Sequence, residues 1–188
     1  MIPLVLDLAI ILLTAAAVYA HARHSSLRVV LRYFTSLSNV FCAAASLALV
    51  CARLRGAIPV PVLLFKFAAT VAVLVTLLTV LFFLGPQLGY KRLLSGPDLW
   101  LHLICPVLAL LSWLGWERIP VSPAASLLGA LPVLLYGGLY YYKVIQKKAW
   151  DDFYGFNRGG KWPISALVMF GGTALLSLLL ARVSGYVF

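Results

Sequence analysis

Six long apolar runs dominate this chain, at roughly residues 2–20, 33–52, 62–84, 98–115, 123–142 and 163–187, with short breaks of Gly, Pro and basic residues between them. At a helical rise of about 1.5 Å per residue, each run is long enough to cross a hydrocarbon layer about 30 Å thick. Their hydrophobicity is continuous, whereas a lipid-facing barrel strand alternates apolar with polar positions, so helices are the only element that fits. The pattern predicts an all-α integral membrane protein, a six-transmembrane-helix bundle forming one domain over residues 1–188.

The breaks carry helix punctuation. Residues 53–61 contain Gly56 and Pro59, and the break at 85–97 opens with Gly85-Pro86 and closes with Ser95-Gly96-Pro97-Asp98. That closing tetrapeptide reads as a helix start, with proline in the first turn and a carboxylate at the positive end of the dipole. The break at 143–163 is the longest and holds Gly155, Gly159, Gly160 and many aromatic residues. Such a segment reads as an ordered loop, either a cover over a site or a static interfacial loop held by Trp150, Tyr154 and Trp162. Within the first run, the stretch ending Tyr19-Ala20-His21-Ala22 has the small residues of a signal-peptidase site, but no basic residue precedes it and Asp7 interrupts it. It is read as a retained helix.

Composition sharpens this picture. The 188 residues are 63% hydrophobic and only 11% charged, against about half and about a quarter in a soluble domain. The 15 Lys and Arg outnumber the 5 Asp and Glu, yet they sit in the breaks, where they set topology and meet anionic headgroups; no nucleic-acid surface is expected. Ten of them fall after the first, third and fifth runs, and only Arg53, Arg55, Arg118 and Arg182, with Lys66 at the margin, fall on the other side. The positive-inside rule then places both termini outside and the long loop in the cytoplasm. Cys42, Cys51 and Cys105 lack CxxC spacing and read as buried reduced thiols. His21 and His24, beside arginines, read as a headgroup-contacting turn, so neither a metal nor a cofactor is expected.

Polar residues inside the apolar runs are where chemistry is sought. Thr35, Ser38, Asn39, Cys42 and Ser46 recur at three- and four-residue spacing and share one face of the second run. Asp98, His102 and Cys105 form a similar stripe on the fourth. Both stripes enter from the same side, so Thr35 and His102 lie at similar shallow depth. A threonine hydroxyl needs a neighbouring base to become a nucleophile, and an imidazole serves that purpose. Asp98, one turn before His102, is a candidate to orient the ring, and Asn39 is a candidate oxyanion donor. From pattern alone, helix-to-helix hydrogen bonds, an interfacial anchor and a helix cap explain the same residues. Asp7 lies toward the opposite face, with Lys66, another helix residue or water as its expected partner.

The run Arg32-Tyr33-Phe34-Thr35-Ser36-Leu37-Ser38-Asn39, followed much later by His102 with Pro106 four residues on, resembles the androgen-induced gene / androgen-dependent tissue-factor-pathway-inhibitor-regulating protein family and its small bacterial six-span relatives. The resemblance runs along most of the chain. It implies an intramembrane threonine and histidine that hydrolyse fatty acid esters of hydroxy fatty acids, with Thr35 resembling the nucleophile and His102 the base. The family's amide residue stands three after the threonine, whereas Asn39 stands four after Thr35; the animal proteins have a polar residue just before the histidine, where this chain has Leu99-Trp100-Leu101. The segment from Trp150 to Pro163 looks like a bacterial signature, which implies a bacterial plasma membrane. Related six-span acyl-transfer proteins use a cysteine, and Cys42 and Cys105 keep that option open.

The expected function is therefore an intramembrane lipid ester hydrolase whose partners are the membrane and a fatty acyl ester, with Arg32, Arg158 and Lys161 as candidate headgroup-binding residues. The alternative is a non-catalytic small membrane transporter or lipid-binding protein whose polar stripe lines a path. Gly137-Gly138 and Gly171-Gly172 are points suited to close helix approach; the oligomeric state stays open.

Overall fold

A computed structural model describes residues 1–186; residue 187, the last of the sixth predicted run, lies outside the described residues. Six helices are long and apolar enough to cross a membrane: α1 (Ile2–His24), α2 (Phe34–Leu54), α3 (Val60–Leu88), α4 (Gly96–Glu117), α5 (Pro123–Gln146) and α6 (Trp162–Gly185). No strand forms among the described residues. The helices overrun the apolar runs by up to about a turn, because backbone hydrogen bonding continues past the residue where side chains turn polar. α3 is the most buried of the six. Its Phe67–Val75 stretch is buried all the way round, and α2, α4, α5 and α6 pack against it while α1 packs against α2 and α4.

Gly85-Pro86 does not end the third helix as its sequence predicts. A π-helical turn at Val80–Leu84 carries α3 through the proline: the Gly85 amide donates to the Val80 carbonyl five residues back. Pro86 has no N–H, so the Leu81 carbonyl loses its helical donor, and the Tyr90 hydroxyl donates to it at 2.8 Å. Where α5 crosses α3 and α6, Gly129 sits so close to Val71 and Ser177 that a Cβ would overlap both. The long connection between α5 and α6 is ordered around Asp152, whose carboxylate accepts from Tyr140 Oη at 2.8 Å and from the amides of Phe156 and Asn157 at 2.9 Å each.

At one end of the bundle lie the starts of α2 and α4 together with that connection. At the other, Asp7, Ser46, Lys66 and Glu117 meet: Lys66 Nζ donates to Asp7 Oδ1 and to Ser46 Oγ at 2.7 Å each, and Arg53 Nη2 donates to Glu117 Oε1 at 3.0 Å. Asp7 therefore has the lysine partner expected for it. The two ends are chemically separate.

Candidate active site

Helix α2 begins abruptly. Tyr33 is extended, Phe34 is the first helical residue, and no side chain caps the end. The Phe34 amide donates to the Tyr154 hydroxyl at 2.9 Å, and the Leu37 amide returns to the Tyr33 carbonyl at 3.1 Å. The Ser36 amide has no hydrogen-bond acceptor among the described residues, and the Thr35 amide faces the same Tyr154 hydroxyl as Phe34. They point with the positive end of the helix dipole, an arrangement suited to an anionic oxygen. Burial pushes the Tyr154 hydroxyl up to about 12, so it meets this end as a neutral phenol.

His102 sits on a π-helical turn, Trp100–Ile104, in which the Cys105 amide bonds to Trp100. Pro106 is the cause. It supplies no N–H, so the Leu101 carbonyl is left without a helical donor, as at Pro86. Asn39 fills that vacancy: its Nδ2 donates to Leu101 at 3.0 Å and to the Thr35 carbonyl at 2.8 Å. Both partners are carbonyls that only accept, which assigns the amide orientation and uses both of its hydrogens. With both hydrogens engaged, Asn39 fastens the turn bearing Thr35 to the turn bearing His102 and has none left for the oxyanion role expected from its spacing.

Across that fastening, Thr35 Oγ1 lies 3.3 Å from His102 Nε2. On the other side of the ring, Nδ1 lies 2.7 Å from the Leu93 carbonyl. A carbonyl cannot donate, so the neutral ring carries its proton on Nδ1 and presents a lone pair at Nε2 to the threonine hydroxyl. This is the tautomer a general base needs. Asp98 does not hold it: its carboxylate faces His21 Nε2 at 3.1 Å, and the position expected for it is filled by the main chain of Leu93. No side-chain pattern marks a backbone carbonyl, which is why sequence reasoning missed it.

Thr35 stands between two spaces. On one side is a vestibule of about 410 Å³ that also reaches Ser36, Leu93, His102, His21, His24 and Arg92. On the other is a narrow apolar cleft of about 50 Å³ bounded by Phe34, Val80, Tyr136, Tyr140, Phe156 and Phe170 among others. Thr35, Leu84 and Tyr154 belong to both walls. The three basic residues expected to hold a headgroup do not line the vestibule. Arg32 stacks its guanidinium over Trp150 at 5.9 Å, Arg158 reaches Gln87 Oε1 at 3.4 Å, and Lys161 borders a groove outside α3 and α6. Arg92, with His21 and His24, occupies the place assigned to them.

Of the thiols, Cys42 and Cys105 are buried and Cys51, contrary to expectation, is exposed. Cys105 Sγ lies 3.8 Å from Thr14 Oγ1, and neither buried thiol lines the vestibule. Among the described residues, no three His, Cys, Asp or Glu side chains converge as a metal site. No family model, curated protein or solved structure matches this chain.

Proposed function

We propose that this chain is a multi-pass membrane protein that hydrolyses lipid esters, with Thr35 as nucleophile and His102 as general base. The observation that carries the reading is the 3.3 Å approach of Thr35 Oγ1 to the unprotonated nitrogen of a ring anchored through its other nitrogen. As Oγ1 bonds to the ester carbonyl carbon, its proton passes to Nε2. The carbonyl oxygen becomes an oxyanion at the start of α2, where the Ser36 amide and the positive end of the helix dipole favour negative charge. The imidazolium then protonates the departing alkoxide as the C–O bond breaks, leaving an acyl-threonine. Water repeats the sequence: it loses its proton to Nε2 and attacks, and the acid leaves as Thr35 recovers its hydrogen.

The two spaces suit the two halves of such a substrate. The apolar cleft matches a fatty acyl chain, and the vestibule, with Arg92 and two histidines, admits water and a polar or anionic alcohol half. Fatty acid esters of hydroxy fatty acids fit that description and agree with the resemblance of the Arg32–Asn39 run and His102 to the threonine hydrolase family. Labelling with an alkyl fluorophosphonate tests the proposal. The probe is expected to add to Thr35 in the native protein and to lose its site in His102→Ala; labelling elsewhere, or none, rejects the chemistry.

The orientation that goes with this reading has both termini outside, in a bacterial plasma membrane. In a chain with Cys51→Ser, a cysteine placed by Ala57→Cys in the α2–α3 connection is expected to react with an impermeant maleimide on intact cells. Reaction only after permeabilisation reverses the orientation.

A non-catalytic transporter has one observation of its own: the far end of the bundle buries Asp7, Lys66 and Glu117, and the hydroxyl of Thr70 finds no partner there among the described residues. Intramembrane charges often mark transport paths. That reading predicts accumulation of a solute in vesicles without its conversion.

A further inference from the structure

The apolar cleft at Thr35 shares four wall residues, Thr79, Phe156, Ser165 and Met169, with a second apolar space of about 440 Å³, a groove on the outer surface between α3 and α6. Exposed Phe82 and Phe83 border that groove on α3, and Val168 and Gly172 border it on α6. Those four residues are the threshold that separates the cleft lined by Thr35 from the outer groove.

We propose that this groove is a lateral entrance, through which one fatty acyl chain passes from the bilayer between α3 and α6 and lies in the cleft with its ester at Thr35. The inference rests on the esterase reading and adds to it the route and the seat of the acyl half. Three features identify the occupant. The walls are almost wholly apolar, which excludes a polar solute. The groove is lined by successive turns of α3 and α6, from Val75 to Phe83 and from Ile164 to Leu176, a run suited to an extended unbranched chain. Lys161 borders the groove near the end of α6 closest to the dyad, where an ammonium on a flexible stem meets the acidic or ester head of an arriving lipid. The π-turn at Val80–Leu84 places Val80 and Leu84 on the cleft and Phe82 and Phe83 on the groove. That turn widens α3 at the threshold itself.

Two glycines on α6 make the experiment selective. A Cβ added at Gly172 or at Gly171 meets no atom within 4 Å, yet only Gly172 borders the groove. Gly172→Trp and Met169→Trp are expected to lower the palmitoyl-to-acetyl ratio of kcat/KM on p-nitrophenyl esters by about tenfold or more, the scale of a lost apolar pocket. Gly171→Trp, on the same helix, is expected to keep that ratio within about twofold. An unchanged ratio in both groove variants, or an equal fall in the control, overturns the entrance. A second measurement does not depend on turnover. A diazirine-bearing palmitate, irradiated with the full-length Thr35→Ala protein in liposomes, is expected to label Phe82, Phe83 and Met169 above the other lipid-facing residues, and Gly172→Trp is expected to suppress that labelling. Labels spread evenly over the outer faces reject the entrance even if Thr35 proves to be the nucleophile. Concentrated labelling in a protein that cleaves no ester removes the hydrolase and retains the acyl site.

Discussion

Thr35→Ala and His102→Ala are each expected to lower kcat/KM on a lipid ester by about 10³-fold or more, and the double variant is expected to be no slower than either. The non-additivity follows from the geometry. A hydroxyl 3.3 Å from Nε2 attacks only as its proton leaves, so removing either partner stops the same step. Thr35→Ser retains an oxygen at the same position and should keep measurable activity. The Ser36 amide and the helix dipole belong to the backbone and survive all three substitutions, so a residual rate from oxyanion stabilisation alone should remain in Thr35→Ala. Folding is not expected to change: Thr35 is half-buried and its side chain bonds only to His102. The measurement is initial hydrolysis rates with thermal unfolding of each variant in the same detergent. Full activity in either alanine variant, with folding intact, would sink the dyad.

Much of this was legible in the chain, for reasons that can be named. Six continuous apolar runs define six helices because, in a bundle of this composition, hydrophobicity and helical hydrogen bonding end within about a turn of each other. The shared depth of Thr35 and His102 followed from counting helix reversals, and the need of Asp7 for a partner followed from the cost of leaving a charge alone in an apolar interior, with Lys66 one of three candidates. What escaped the sequence was set by backbone atoms. The orienter of His102 is the carbonyl of Leu93, which any residue could supply. Asn39 looked like an oxyanion donor because its spacing put it on the Thr35 face. Its real partners became visible only once Pro106 was seen to free the Leu101 carbonyl, a loss that depends on the π-turn and not on any side-chain pattern. Pro86 misled in the same way: a proline after glycine reads as a stop, but Tyr90 folds back to satisfy Leu81 and the helix continues. Both corrections come from asking where each orphaned carbonyl finds its donor.

At the far end of the bundle, Lys66→Met is expected to destabilise the protein by about 3–5 kcal/mol, the cost of leaving a buried charge without its partner. Lys66 Nζ lies 2.7 Å from Asp7 Oδ1 and 3.7 Å from Glu117 Oε2, and the lysine and both carboxylates are buried. Arg53 adds the second cation, 3.0 Å from Glu117 and 4.0 Å from Asp7. The four formal charges balance, so removing the lysine leaves two carboxylates sharing one arginine. Asp7→Leu alone should be costly for the opposite reason, since it leaves two cations around Glu117. Combined, the two substitutions restore balance: Arg53 and Glu117 remain paired, and the vacated centre becomes apolar. The double variant should therefore recover most of the loss, giving a coupling energy opposite in sign to the single effects. Thermal unfolding of the four proteins in one detergent measures it. Because the cluster sits at the opposite end from Thr35 and His102, the double variant should hydrolyse ester at close to the native rate. A Lys66→Met protein as stable as the native one, or a double variant worse than both singles together, would mean that these groups are not held as an obligatory balanced set. Loss of hydrolysis in a double variant of native stability would instead couple the charge cluster to the dyad through α2 and α4, which carry members of both sets.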